Sequence, residues 1–359
     1  MKKVKNSLFF LMLMALAVFA LAACSDSSKE EEPKKEEQAT NDKTEDTNKE
    51  TSADEQQYPI TIQHAFGETV IDKKPERVAT IAWANHDVAL ALGVVPVGFS
   101  AANYGVQDGE LMLPWTAEKV KELGEENPNI YQDTDGLDFE AIADSNPDVI
   151  LAAYSGITQE DYDTLSQIAP VVAYKDIPWV TSWQDQILLN SKGMGMEEEG
   201  KQLLADTEKL IQDKVNEHPE FKGKKAAFAM FMMNDLSKFY VYTPGDPRGG
   251  FLEELGMEFP AGLQSLVTDA SSFYLELSSE NADALVDTEI FVVYGDDSTL
   301  ATLQADPILG KVPAIQQGNV VVVGDGTPLA AAGTPSPLSI AYTIDEYVSL
   351  ISAAAKNVK

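Results

Sequence analysis

A single cysteine, Cys24, stands in a chain of 359 residues. With no second one, the chain can build neither a disulfide framework within itself nor a cysteine-based metal site. Histidine is nearly as scarce. His64, His86 and His218 are the only three, and they fall in a predicted strand, a helix start and a loop. Their positions form no metal-ligand spacing, so direct capture of a bare zinc or manganese ion is not expected. Arginine occurs only at Arg77 and Arg248. Lys and Arg together number 26 against 58 Asp and Glu, a formal net charge of -32. So acidic a surface argues against nucleic acid and against a polybasic membrane patch. No Ser-His-Asp or Cys-His arrangement and no glycine-rich phosphate loop is evident.

What is present begins with the first 24 residues. Lys2, Lys3 and Lys5 make a basic start, and Leu8 to Ala22 is almost wholly apolar. That run is short for a membrane span and ends in small residues, as a secretory leader does. Its close, Leu21-Ala22-Ala23-Cys24, resembles a bacterial lipoprotein signal. The resemblance implies a signal peptide over residues 1–23, cleavage before Cys24, and lipid on the new N-terminal cysteine. Several acyl chains, at about 0.8 kcal/mol per buried CH₂, give lasting anchorage. The tether, residues 24–57, is Glu, Lys, Asp, Thr, Ser and Gln with no aromatic residue. It cannot bury enough surface to offset its ordering entropy. An anchored, tethered domain suits the extracellular face of a Gram-positive cell, where a released protein would be lost.

From Tyr58 onward about three hundred residues remain, enough for two domains. "YPITIQHAFGETVID" alternates apolar and polar residues around a glycine turn and predicts a hairpin. "RVATIA", "VVPVGFS", "DVILAAY" and "PVVAY" read as short buried strands. Helical patterns with caps and glycine stops lie between them, such as "NHDVALALG" and "LPWTAEKVKELG". The alternation predicts βα units and a largely parallel sheet over residues 58–182. Residues 183–217 differ: no strand-like run, no proline, and apolar residues at helical spacing. They predict one long connecting helix, which Gly193 and Gly195 weaken locally. Residues 218–359 restart the pattern with strands "KKAAFAMFMM", "KFYVYT", "EIFVVYG" and "NVVVVGD" and a closing helix behind Pro337. The fold class is therefore α/β: two Rossmann-like lobes with central, mostly parallel sheets, joined by a long helix.

Two stretches echo each other. "LDFEAIADSNPDVILAAYSG" (137–156) aligns with "LSSENADALVDTEIFVVYGD" (277–296), placing Glu140 over Glu280 and Tyr154 over Tyr294. Each reads as a capped helix followed by a buried strand. "LALGVVPVG" and "LEELGMEFPAG" form a second echo, again helix, glycine stop, strand. Asp138 and Ser278 are good N-caps, which puts each glutamate at the second helical position. A carboxylate there opposes the helix dipole and contributes about 0.3–1 kcal/mol, so a purely structural role accounts for either one alone.

"PERVATIAW", "ALGVVPVG", "LDFEAIADSNPDVILA", a mid-chain helix and "ELSSENAD" follow a lipoprotein signal and tether in that order. The set resembles the substrate-binding proteins of ABC importers for ferric siderophores, cobalamin and haem. The resemblance implies a ligand cleft between two lobes, small hinge motion and one glutamate on each lobe that meets arginines of a permease dimer. Glu140 and Glu280 match those positions, and arginine offers a bidentate fork to an exposed carboxylate. It implies a monomer, tied to the membrane only through its lipid, with no resident cofactor.

In open α/β sheets ligands sit beyond the carboxyl ends of the strands. That rule nominates Trp83, Asn85 and His86, then Tyr104, Tyr154, Trp179, Trp183 and Arg248, with Asp296 and Asp297 in the second lobe. Phe273 and Tyr274 precede the second acid-tipped stretch, where the family carries a ligand-facing aromatic, and they stand as better candidates than Tyr294. Tyr154 also matches a family position that touches siderophore. Aromatics there suit a bulky, partly apolar ligand; any one of them could equally close a lobe core. Arg248 at a helix start either pairs with Asp246 or holds a ligand oxygen. A cleft with few bases, offering Arg248, His86 and Lys238 at most, fits a neutral or cationic ferric hydroxamate better than a triply anionic catecholate complex. Cobalamin or haem in the same fold, and a carboxylate-based hydrolase using the paired glutamates, are the competing readings.

Overall fold

The computed structural model describes residues 58–133, 135–269 and 272–358. The signal peptide, Cys24 and the tether lie outside the described residues.

The first lobe opens with the hairpin β1 (Ile60–His64) and β2 (Gly67–Ile71), antiparallel with Ile60 facing Ile71. Burial alternates along β1, with Ile60, Ile62 and His64 inward, the period of two that its sequence shows. Then come β3 (Val78–Thr80), α1 (Asn85–Ala91), β4 (Gly98–Ser100), α2 (Pro114–Glu122), β5 (Ile130–Tyr131), α3 (Phe139–Asp144), β6 (Val149–Ala152), α4 (Gln159–Leu165) and β7 (Val171–Ala173). The sheet order is β5-β4-β3-β6-β7, with all four pairings parallel. Strand order reverses at β3, so a crevice opens at the carboxyl ends of β3 and β6.

The connecting segment is helical but broken: α5 (Trp183–Gly193) and α6 (Glu197–Glu217) replace a single helix. Gly195, at φ +66°, closes α5. Its N–H donates to Lys192 O, and Met196 N–H reaches back to Ser191 O. This pair of bonds is a Schellman motif, which satisfies the last carbonyls and turns the chain. Gly200 then lets α6 come down on Ser191, where any Cβ would clash. Gly195 thus decides where the segment bends, while Gly193, still helical, lets α5 pack closely on Val172 and Leu151.

The second lobe comprises β8 (Ala226–Phe231), β9 (Lys238–Tyr242), α7 (Pro247–Glu254), α8 (Ala261–Gln264), β10 (Tyr274–Ser278), β11 (Ile290–Gly295), α9 (Thr299–Ala305), α10 (Pro313–Gln317), β12 (Val320–Gly324), α11 (Pro328–Ala331) and α12 (Pro337–Ala355). Its sheet runs β10-β9-β8-β11-β12. The β8–β11 and β11–β12 pairs are parallel, and β8–β9 and β9–β10 antiparallel. Residues 232–237 are too short a link for a crossover, which forces β8 and β9 into a hairpin. Three expectations change here. β10 was not foreseen as a strand. After α7 and Gly256, only Glu258 bridges to Lys225, so the second echo has no full strand. The stretch Ser279–Leu285 that carries Glu280 is a 3₁₀ helix rather than an α-helix.

One apolar core passes through all three parts. Val78, Val88 and Val149 of the first lobe, Ile187 and Ile211 of the connector, and Phe228, Ile290 and Tyr347 of the second lobe belong to it. Helix α12 packs against α1 and α2 on one side and against β11, β12 and α6 on the other. Its N-cap, Ser336, donates a 2.5 Å hydrogen bond to the buried Asp87 of α1, which also accepts from Trp115 Nε1 and Thr116 Oγ1 at 2.9 Å. The lobes are therefore joined along one side by a continuous packed core.

Candidate functional site

A cavity of about 580 Å³ lies between the lobes, walled by residues from both. On the first lobe its wall starts where β3 ends. Ala82 and Ala84 both adopt the left-handed conformation, at φ 61° and 58°, and Trp83 between them faces the cavity. Such backbone costs an L-residue about 1–2 kcal/mol and persists only where the surroundings impose it. Here Ala82 N–H donates to Ser100 Oγ at 2.7 Å, and Ser100 Oγ donates to Asp133. Behind the turn, the wholly buried Asn85 donates to Ile81 O and Tyr154 O (2.8 and 3.0 Å) and accepts from Tyr154 N and Asn190 Nδ2 (3.1 and 2.9 Å).

Tyr154, buried at the end of β6, lines the cavity beside Trp179, ring centroids 5.3 Å apart in an edge-to-face arrangement. Burial pushes the Tyr154 phenol pKa up. Trp179 is a third left-handed non-glycine residue, φ 62°. Its indole lies over Gly156, where a Cβ would come within 2.3 Å of Nε1.

The second lobe contributes Arg248, Phe273, Tyr294 and Thr334. Asp246 caps α7 and receives Arg248 in bidentate fashion, Nε and Nη2 each at 2.7 Å. The guanidinium also stacks on Tyr242, 3.9 Å from its centroid. Burial works against that charge, but Asp246 more than offsets it and holds the arginine pKa well above its usual value. Burial raises the Tyr294 phenol to about 12. Arg248 thus pairs with Asp246, the first of the two roles weighed for it, and lines the cavity. Tyr104 bridges the lobes at the wall. Its hydroxyl donates to Asp325 Oδ1 at 2.6 Å and accepts from Gly326 N at 3.1 Å.

Of the residues nominated from sequence, the structure brings Trp83, Tyr104, Tyr154, Trp179, Arg248 and Phe273 together. Asn85, His86 and Tyr274 do not line the cavity, and each displacement has a physical reason. Asn85 is the buried staple just described. His86 is buried, stacks on Phe99 with centroids 5.0 Å apart, and has its pKa lowered by burial. Tyr274 starts β10 and packs edge-on against Phe273 and Tyr240, ring centroids 4.8 and 5.5 Å away, behind the wall residue Phe273. Tyr294, ranked below Tyr274 from sequence, is on the wall instead. Trp183 is buried with Nε1 on Glu254 (2.9 Å), and Lys238 is exposed and paired with Glu276. Asp296 and Asp297 stand outside the cavity, Asp296 engaged with Ser298. Ser100, Asn103 and Asp133, missed earlier, also line it. The strand-end rule would have found Ser100 at the end of β4. Asp133 escaped because the two-residue β5 is too short to read as a strand.

Glu140 and Glu280 are both exposed and neither lines the cavity. Each is the second residue of its helix. Asp138 caps Glu140's helix by accepting from Ala141 N at 2.9 Å, and Asn281 Oδ1 accepts from Ser278 N at 3.1 Å beside Glu280. Among the described residues no cluster of three or more His, Cys, Asp or Glu could hold a metal ion, and no helix is long and apolar enough to cross a membrane.

Comparison with known proteins gives a consistent picture. Residues 78–326 match the model of the periplasmic binding protein family. The crystal structure of PiaA from Streptococcus pneumoniae in complex with ferrichrome is 56% identical. It superposes with a TM-score of 0.81 over 84% of this chain and 100% of that one. The probable siderophore-binding lipoprotein YfiY of Bacillus subtilis is 24% identical, covering 96% of this chain and 98% of that protein. The ferric enterobactin-binding protein FepB of Escherichia coli is 24% identical over 75% of this chain and 85% of that protein. The chain belongs to the periplasmic binding protein family, the solute-binding components of ABC importers.

Proposed function

We propose that the protein captures a ferric hydroxamate siderophore between its lobes and hands it to an ABC-importer permease, while held to the membrane by lipid on Cys24. The observation that carries the cargo class is the charge of the wall. Among the described residues its only cation is Arg248, already paired with Asp246, while Asp133 and Asp161 also line the cavity. A triply anionic chelate would meet no net positive charge there, whereas a neutral or cationic one loses little on desolvation. Trp83, Trp179, Phe273 and the tyrosines supply apolar faces for the chelate body, and 580 Å³ falls within the usual range of small-molecule sites. Further support comes from PiaA, 56% identical, which was crystallised with the hydroxamate chelate ferrichrome.

Trp83 and Trp179 on the wall provide the readout. Titration with ferrichrome is expected to quench their fluorescence saturably, with ferric catecholate and ferric citrate complexes binding far more weakly. Tight binding of the catecholate complex alone would overturn the assignment.

A further inference from the structure

Among the described residues, Asp133 is the one acid on the cavity wall whose carboxylate is not committed to a cation or a cap. Its neighbours on the wall are accounted for. Arg248 spends Nε and Nη2 on Asp246, and Asp161 accepts from both Thr158 N and Thr158 Oγ1 at 2.8 Å in the capping box of α4. Asp133 accepts from Ser100 Oγ through Oδ2. No Lys, Arg or His among the described residues forms an ion pair with it. The residue is partly exposed and faces the ligand space. Burial pushes its pKa up, with Asp138 adding to the rise, and hydrogen bonds from Ser100 and from the backbone N–H groups of Asp133 and Ala101 oppose it.

We propose that Asp133 accepts a cationic or N–H-bearing group on the periphery of the bound chelate and so selects, among ferric hydroxamates, those that carry a free ammonium. This rests on the hydroxamate reading and deepens it. The chemistry is that of a charge-assisted hydrogen bond in a partly desolvated site, where an ammonium supplies the donors and the charge that the wall lacks. Ser100 fixes the other oxygen. The same Ser100 holds the Ala82 turn, so the acceptor sits in register with Trp83.

The test uses ferrioxamine B, a linear ferric trihydroxamate with a terminal ammonium, its N-acetylated form, and ferrichrome, read by tryptophan quenching. The mature protein is expected to bind ferrioxamine B about tenfold more tightly than the acetylated form, the scale of one hydrogen bond to a charged group. In Asp133→Asn, whose side-chain oxygen can still accept from Ser100, that ratio is expected to fall to near one. Asp133→Ser serves as a second neutral variant should Asn disturb folding. Equal affinities for the two forms in the unaltered protein, or a preference that survives both substitutions, would overturn the inference while leaving the hydroxamate reading intact. Failure of all three chelates to bind would overturn the hydroxamate reading itself, and this inference with it.

Discussion

Trp179 is held in place by what its neighbour lacks. Gly156 has no Cβ, and the indole occupies that space, 2.3 Å from where a methyl carbon would sit. Because Trp179 is 38% exposed, it can swing outward when crowded. Gly156→Ala is therefore expected to leave the melting temperature within a few degrees of the parent, the usual range for a surface adjustment. It should nevertheless weaken ferrichrome binding on the order of tenfold, as loss of a large aromatic contact does. Thermal unfolding and a quenching titration on the same sample check both halves. The pairing of strain with function recurs at Ala82 and Ala84. Together with Trp179 they make three of the four left-handed non-glycine residues among those described, all at or beside the cavity. No sequence pattern announces a left-handed alanine. The strand-end rule could place Trp83 and Tyr154 because strand ends are legible. It could not separate Trp83 from Asn85 and His86, which lie two and three residues further on and turn into the core as α1 begins.

At the scale of elements, legibility followed length and periodicity. The hairpin β1–β2, the parallel order of the first lobe and α12 are regular enough to read directly. β5 spans two residues and β10 carries Glu276 outward in a short run, so neither offers a clear alternation. The break between α5 and α6 was marked by its glycines, but the Schellman closure depends on backbone bonds that a sequence does not display. The far end of α12 carries a pH dependence. Glu220, in the 3₁₀ turn Pro219–Phe221, accepts from Ser352 Oγ and lies near Lys356 Nζ (3.6 Å), both from the end of the closing helix segment. The Ser352 bond foremost, with His218 and Lys356 adding, lowers its pKa from 4.5 to about 2. A carboxylate depressed in the folded state adds stability above its unfolded pKa and loses it as pH falls through the folded one. Glu220→Gln should thus lower Tm at pH 7, and the gap to the parent protein should close between about pH 4.5 and pH 2. Parallel melting curves across that window test it; a gap of constant size would show that Glu220 acts through packing alone.

For the whole molecule, the question is how two lobes can grip a cargo and still present a fixed face to a partner. The continuous core through α5, α6 and α12, with Ser336 anchored on Asp87, ties the lobes along one side. The Tyr104–Asp325 bond spans them at the cavity wall. Glu140 and Glu280 stand one on each of the lobes so joined. Both carboxylates are exposed and outside the cavity, so the docking role proposed for them is testable by mutation apart from cargo binding. Glu140→Ala with Glu280→Ala is expected to leave the ferrichrome dissociation constant of the purified protein unchanged, because neither side chain touches the ligand space. Uptake of iron from ferrichrome by cells carrying only the double variant should fall at least tenfold, since each lost charge-assisted contact is worth about 1.5–3 kcal/mol. Either single variant should fall between, because one post still holds one lobe while orientation is lost. A purified double variant that no longer bound ferrichrome would move the glutamates into the cargo site. Undiminished uptake would show that the permease grips other surfaces, leaving the paired glutamates as helix-end stabilisers whose likeness reflects only the duplication of the lobe.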